Sequence, residues 1–139
     1  MISVSALAGI LLAPLCASAQ LNEERASCDS GTMQTLVTKG YFAARHADWQ
    51  KLIVIALTFN VSSGVCREPE QAITAALYGD FFGAIGFAHS NMRQKARELL
   101  KDGLEAAHTE INGGVMMDLS TKMLRRYDDL AAHPMDVPG

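Results

Sequence analysis

The pair Glu105 and His108 has the spacing of a known metal-binding motif. A Glu-x-x-His step places both side chains on one face of a helix, as in bundles that hold two iron or manganese ions. Those sites also need a second copy of the step and two further glutamates. The sequence contains no second copy, so we predict that this pair is a polar position near a helix end.

Motifs of nucleophilic, phosphate-binding and redox chemistry are missing from the sequence. It contains no G-x-S-x-G, P-loop, G-x-G-x-x-G, H-E-x-x-H or C-x-x-C motif. His46, His89 and His133 stand at predicted helix C-termini, where the helix dipole favours histidine. Core packing or partner contact explains the pair Met116-Met117 better than copper binding does. We predict no enzymatic activity, no metal site and no cofactor.

The length and the net charge of the chain limit the kinds of protein it can be. The chain has 139 residues, a length that indicates one domain. Its net charge is −3. Binding to nucleic acid or to an anionic membrane needs clustered lysine and arginine, which an acidic balance disfavours. Only 6% of the residues are aromatic, and abundant alanine and leucine favour helices over sheet.

The first twenty residues carry no charge and end near Ala17-Ser18-Ala19, an A-x-A cleavage site. They predict a signal peptide over residues 1–19 and a secreted or periplasmic mature protein. An uncleaved membrane anchor is the alternative, although the apolar run is short for a span and Pro14 interrupts it.

Cleavage would remove Cys16 and leave Cys28 and Cys66, an even pair that predicts one disulfide in an oxidising compartment. Cys28 precedes the first predicted helix and Cys66 follows the second. An antiparallel hairpin of these helices would bring both cysteines to one end. Closing a loop of this size stabilises a protein by about 4 kcal/mol in the chain-entropy model.

Apolar side chains at helical spacing predict an all-α domain over residues 20–133, followed by a flexible tail over 134–139. The predicted helices cover about 33–44, 49–59, 69–89, 91–111 and 120–133. Residues 60–64 are predicted to be a loop by composition, and Ser90 is the expected N-cap of the fourth helix. The second helix is apolar on nearly all sides, which is typical of a core helix.

Small and flexible side chains add detail to these helices. Three glycines lower the helix propensity of the third helix by about 1 kcal/mol each, which indicates close packing or a kink: Gly79, Gly83 and Gly86. Three methionines fall on apolar helix faces and are predicted to be buried: Met33, Met92 and Met123.

Several short motifs follow one another in an order that matches a known family. They are Cys28, the step Gly40-Tyr41-Phe42 with Asp48, the run from Cys66 through Pro69 to Gln71, and a helix from Ala96 through Leu99 to Leu104. Over roughly residues 28–107 this order resembles the Rap/Tai periplasmic immunity proteins, which neutralise type VI secretion peptidoglycan amidases. Thr38 and Ala44 depart from the family pattern, as does the additional helix after His108.

The resemblance implies a small, helical, disulfide-bonded inhibitor that is typically a homodimer and binds a secreted amidase effector. Such an inhibitor needs a rigid element that enters the cleft of the enzyme. The predicted element is the segment 60–71, which Cys66 and Pro69 pin in place, and Arg67 is its best single anchor. The predicted contact residues are Asn60, Ser62, Ser63, Arg67, Glu68, Glu70 and Gln71.

Two other kinds of non-catalytic protein fit the same sequence. Ala84, Phe87, Ala96 and Leu100 suit a tetratricopeptide-like helix pair, which would make the protein a periplasmic interaction module. Only one such pair is visible, whereas solenoids usually need three or more repeats. A small structural subunit of an envelope assembly is the third possibility. The sequence leaves open whether residues 118–133 dock on the core or on a partner.

Overall fold

The computed structural model describes residues 26–114 and 116–137, so the predicted signal peptide lies outside the described residues. Within this range the chain forms five α-helices and no strand, which confirms the all-α prediction. The helices are α1 (Ser30–Arg45), α2 (Trp49–Val65), α3 (Pro69–His89), α4 (Arg93–Gly113) and α5 (Met117–Ala132). Among the described residues, no helix is both long enough and apolar enough to cross a membrane.

Local signals in the sequence set several helix ends. The Asp29 carboxylate accepts a hydrogen bond of 2.9 Å from the Thr32 N–H and so caps α1. Pro69 opens α3, where its missing N–H is not needed. Gly114 ends α4 in the left-handed conformation, with φ of 76°.

The predicted loop over residues 60–64 is wrong, because α2 continues to Val65. Tertiary contacts outweigh the polar composition of this stretch. Ser62 is 1% exposed, and its Oγ accepts a hydrogen bond of 3.2 Å from the Ser27 N–H. Asn60 lies against the backbone of α3 at Gly79. Long-range packing therefore holds two further turns in the helix.

Two further expectations about helix ends are corrected. Ser90 does not cap α4, since its own N–H binds the carbonyl of Gly86 at the end of α3. Met92 takes the capping position without a side-chain hydrogen bond and is 50% exposed, so its predicted burial is wrong. The last helix begins at Met117, three residues before the predicted start at Ser120.

Helix α3 is the centre of the structure and packs against all four other helices. It is buried on most sides, and its glycines make the close approach possible. A Cβ on Gly83 would lie 2.7 Å from Leu99 Cδ1, and one on Gly86 would lie 2.9 Å from Ile53 Cγ1. The glycines therefore serve close packing, one of the two explanations that the sequence left open.

Links of three residues each join consecutive helices, at 46–48, 66–68, 90–92 and 114–116. Links this short make consecutive helices antiparallel neighbours. Consequently α1, α3 and α5 run in the same direction, and α3 contacts both α1 and α5. All three begin at the same end of the molecule.

Helix α5 docks on the core through Tyr127, which is fully buried. The Tyr127 hydroxyl donates a hydrogen bond to the Leu77 carbonyl of α3. Its ring stands edge-on to Phe81, with 5.7 Å between the ring centroids, and also contacts Gly103 of α4. Residues of the last helix thus belong to the domain core.

The predicted disulfide between Cys28 and Cys66 is confirmed, with 5.5 Å between the two Cα atoms. It ties the segment before α1 to the link after α2. The hydrogen bond from Ser27 to Ser62 lies beside it. Both ends of the α1–α2 hairpin are therefore fixed together.

Two glycine substitutions should change stability in opposite directions. Gly103→Ala places a Cβ in the buried ring of Tyr127, and we expect it to destabilise the fold by about 2 kcal/mol through overpacking. The Cβ that Gly64→Ala adds meets no atom within 4 Å, so we expect this change to raise the free energy of unfolding by about 0.5 kcal/mol. Urea denaturation followed by circular dichroism measures both. Stabilisation by both changes would contradict the packing described for Tyr127.

Removal of the disulfide should lower the free energy of unfolding by about 4 kcal/mol. The test is urea denaturation of the variant Cys28→Ser with Cys66→Ser, compared with the wild type before and after reduction. Reduced wild type and double variant should agree, and reductant should leave the double variant unchanged. An unchanged unfolding midpoint in the double variant would show that the hairpin does not depend on the bond.

Candidate functional site

The candidate functional site is a groove with α3 as its floor and α1 and α5 as its walls, which we call the inner groove. Its first part lies where the three helices begin and encloses about 340 Å³. Its lining combines apolar, hydroxyl, amide and charged side chains. The residues that line it include Met33, Gln34 and Val37 of α1, Glu70, Gln71, Thr74 and Tyr78 of α3, and Leu119 and Lys122 of α5.

Arg126 and Tyr41 link the two walls near the middle of the inner groove. The guanidinium carbon of Arg126 lies 5.0 Å from the centroid of the Tyr41 ring, a distance suited to a cation–π interaction. Tyr41 in turn stands edge-on to Phe82 of α3, with 5.2 Å between the ring centroids. This contact fixes the spacing of α1 and α5 over α3.

Beyond Arg126 lies a second hollow of about 360 Å³, which is lined by Phe81 of α3, by α5 and by the segment after α5, and which we include in the inner groove. Phe81 and Leu130 supply apolar surface there, and Asp129 and His133 supply polar groups. The lining residues of α5 recur every three to four positions through both hollows. The groove therefore follows one face of α5 along most of its length.

The tyrosines at the inner groove are hydrogen-bond donors that do not ionise at neutral pH. Burial raises the pKa of Tyr41 to about 12, although the Arg126 guanidinium acts in the opposite direction. Burial also raises the pKa of Tyr78. The Tyr41 hydroxyl and the Gln71 amide oxygen are buried and have no hydrogen-bond partner among the described residues. Unpaired buried polar atoms cost free energy, and both lie on the α1–α3 side.

The structure divides the seven predicted contact residues between three places. Asn60, Ser62 and Ser63 lie on the last turns of α2, and Ser62 is buried against the segment before α1. Arg67 and Glu68 are exposed beside the disulfide. The single protruding loop that the sequence predicted is therefore absent from the described residues, whereas the contact roles of these side chains stay predictions.

Glu70 and Gln71 are the two predicted contact residues that line the inner groove. Arg67 and Glu68 belong to a second surface, the braced corner, which we define as residues 65–68 with the Cys28–Cys66 disulfide. Its backbone is fixed at both sides by α2 and α3.

Sequence reasoning missed the residues that α1 and α5 contribute to the inner groove. Gln34 and Lys122 are far apart along the chain and belong to no motif. Only the parallel alignment of alternate helices brings them to one groove. The order of the helices would have predicted this alignment if the sequence had also shown that α5 docks on the core of this chain.

The Glu105–His108 pair remains on the surface of α4, where both side chains are exposed. Among residues 26–114 and 116–137, no group of three or more histidine, cysteine, aspartate or glutamate side chains is placed to hold a metal ion.

Asp80 is a carboxylate whose surroundings raise its pKa strongly. Burial and, to a smaller extent, the nearby Asp102 raise its pKa to about 7, while Lys95 acts against both. Asp102 and Lys95 belong to α4, so Asp80 lies on the side of α3 that faces that helix. The folded protein retains this proton in a pH range where the unfolded chain has released it.

Asp80 should make the folded state less stable as the pH rises. Below pH 3.8 Asp80 is protonated in both the folded and the unfolded state, and its burial then costs no stability through its charge. As the pH rises from 3.8 through about 7, the free energy of unfolding falls, because only the unfolded state readily releases the proton. We expect Asp80→Asn to stabilise the protein at pH 8 by about 1–2 kcal/mol after allowance for solvent screening. The difference should disappear near pH 4 in thermal unfolding. Asp128→Asn, at an exposed site of α5, is the control, and an unchanged difference between pH 4 and 8 would contradict the assignment.

Comparison with known proteins gives no identity for the chain. No family model matches it, and there is no significant match among curated proteins or solved structures.

Proposed function

We propose that the protein is a secreted or periplasmic binding protein without catalytic activity, whose inner groove receives a segment of a partner protein. The observation that carries this proposal is the hollow between α1 and α5 over the first half of α3, with a second hollow following α5 beyond it. Three parallel helices present side chains to one line of contact. This arrangement suits the tetratricopeptide-like interaction module that the sequence suggested.

The lining of the inner groove suits a polypeptide segment. Met33 and Leu119 offer apolar contacts, Gln34 and Thr74 offer hydrogen bonds, and Lys122 offers a charge. Such a mixture of apolar anchors and convergent polar groups is typical of selective protein contacts. A nucleic acid would need a basic lining, which this groove does not have, since Glu70 lies in the same hollow as Lys122.

The disulfide supports the proposed compartment. Disulfides persist in secreted and periplasmic proteins and are rare in the reducing cytosol. The predicted signal peptide over residues 1–19 leads to the same compartment. We therefore expect the partner to be an envelope or secreted protein.

Immunity to a peptidoglycan amidase is a second candidate function, and the braced corner favours it. Arg67 and Glu68 are exposed there beside a covalent constraint, so they would lose little conformational entropy on entering a cleft. The order of motifs that resembles the Rap/Tai family supports the same function. Under this proposal the protein is a homodimer, and its partner is a secreted amidase effector.

Capture of partners from the envelope fraction separates the two candidates. Gln34→Ala with Lys122→Glu alters the inner groove at exposed positions, and Arg67→Ala with Glu68→Ala alters the braced corner. We expect the groove variant to bind the captured partner at least about tenfold more weakly, as loss of a central contact does. The corner variant should bind as the wild type does.

Arg97→Ala with Lys101→Ala, on the charged face of α4, is the control, because exposed ion pairs contribute about 0–1 kcal/mol. All variants must keep the melting temperature of the wild type. Loss of binding by the corner variant alone, with a peptidoglycan amidase as the captured protein, would favour the immunity function. Loss by the α4 variant alone would contradict both candidates.

A further inference from the structure

A further cavity of about 490 Å³ lies between α3, α4, the end of α5 and the segment that follows α5. We call it the alanine pocket, because four alanines line it. Apart from two arginines, the side chains that line it are apolar. They include Ala84 and Ala88 of α3, Ala96 and Leu100 of α4, Ala131 of α5 and Met135 after it. Small side chains therefore leave room at a place where three helices meet.

Both charged side chains at the alanine pocket are arginines. Arg93 and Arg97 lie one turn apart on α4, on the same face as Ala96, and both line the pocket. Arg97 donates a hydrogen bond of 3.2 Å to the Gln94 side chain, and within the part of the chain that the structure describes neither arginine has an acidic partner. Helix α4 begins at Arg93 without a side-chain cap, so its first N–H groups add partial positive charge. This end of the pocket is therefore positively charged.

The segment after α5 closes one side of the alanine pocket. Met135 lines the pocket, and its backbone lies within hydrogen-bonding reach of the His89 ring. That ring stacks on Trp49, with 3.9 Å between the ring centroids. Asp136 of the same segment lines the inner groove and lies 4.0 Å from His133. The segment is thus held beside the pocket, and its carboxylate belongs to the other cavity.

We propose that the alanine pocket binds a fatty acid, with the carboxylate at Arg93 and Arg97 and the acyl chain among the alanines. A volume of about 490 Å³ falls within the range of about 300–1,000 Å³ that is common for small-molecule sites. Guanidinium groups offer paired N–H donors in the geometry of a carboxylate. This site is separate from the groove that the proposed function assigns to a partner protein, so it is a further binding activity of the same chain.

The lining of the alanine pocket favours an acyl chain over a polypeptide segment. A buried peptide needs hydrogen-bond partners for its N–H and C=O groups, and the only polar side chains at this pocket are the two arginines. A methylene chain has no such groups, and burial of its apolar surface stabilises the complex. A cationic amphiphile would be repelled by the arginines. The arginines therefore select the charge of the ligand, and the alanines select its chain.

Two probes of equal chain length and opposite charge test the proposal in isothermal titration calorimetry. The disulfide-bonded protein is first freed of endogenous lipid on an apolar resin. Dodecanoate and dodecyltrimethylammonium are then titrated below the concentrations at which they form micelles. We expect dodecanoate to bind one site with a dissociation constant below about 100 μM, and dodecyltrimethylammonium to bind at least about tenfold more weakly. Equal affinity for the two probes, or a weaker dissociation constant for dodecanoate, would overturn the proposal.

Neutralisation of the arginines tests the carboxylate contact. Arg93→Gln with Arg97→Gln should weaken dodecanoate binding at least about tenfold. Lys101→Gln with Arg125→Gln removes the same charge at exposed positions outside the pocket, so this matched control should bind dodecanoate as the wild type does. Wild-type affinity in the first variant, or an equal loss in the control, would overturn the contact, since an equal loss would show that net charge alone governs binding.

A bulky side chain at the edge of the pocket tests the acyl-chain site. Ala131 and Ala132 are neighbours at exposed positions of α5, and only Ala131 lines the pocket. Ala131→Trp should weaken dodecanoate binding at least about tenfold, whereas Ala132→Trp should leave it unchanged, with the melting temperature of the wild type in both. Equal affinities of these two variants would overturn the site. Partner capture by the Ala131→Trp variant tests the inner groove separately, so the two proposals can fail independently.

Discussion

The close packing of α3 against its four neighbours is the interaction on which the rest of the structure depends. Gly79 and Gly86 let α2 approach on one side, and Gly83 admits Leu99 of α4 on another. Each glycine lowers helix propensity by about 1 kcal/mol, and close packing of the neighbouring side chains offsets that cost. Because α3 fills the centre, α1 and α5 can pack only along its remaining side, where they leave the inner groove between them.

Features with local or covalent causes could be predicted from the sequence. The five helices follow from apolar spacing, and the disulfide follows from two cysteines at one end of a hairpin. The end of α2 could not be predicted, because the hydrogen bond from Ser27 to Ser62 joins residues far apart in the chain. Residues 60–64 have a loop-like composition, and tertiary contacts override it.

The inner groove could not be predicted from the sequence either, because it also depends on contacts between distant parts of the chain. Gln34 and Lys122 become neighbours only through the alternation of antiparallel helices and the docking of Tyr127 on the Leu77 carbonyl. The spacing of residues within α1 or within α5 does not indicate that the two helices lie side by side. The braced corner is the opposite case, since Cys66 and Pro69 lie within a few residues of Arg67. The sequence predicted the disulfide at this corner correctly, whereas residues 60–65 of the predicted loop belong to α2.

The outward surfaces of α5 and α2 differ in polarity. A stack of helices needs a polar outer surface at each end to remain soluble. Helix α5 has one, with Arg125 and Asp128 exposed. Helix α2, near the other end, instead exposes three apolar side chains: Leu57, Val61 and Val65. The outward surfaces of the two helices therefore differ in how well they suit contact with water.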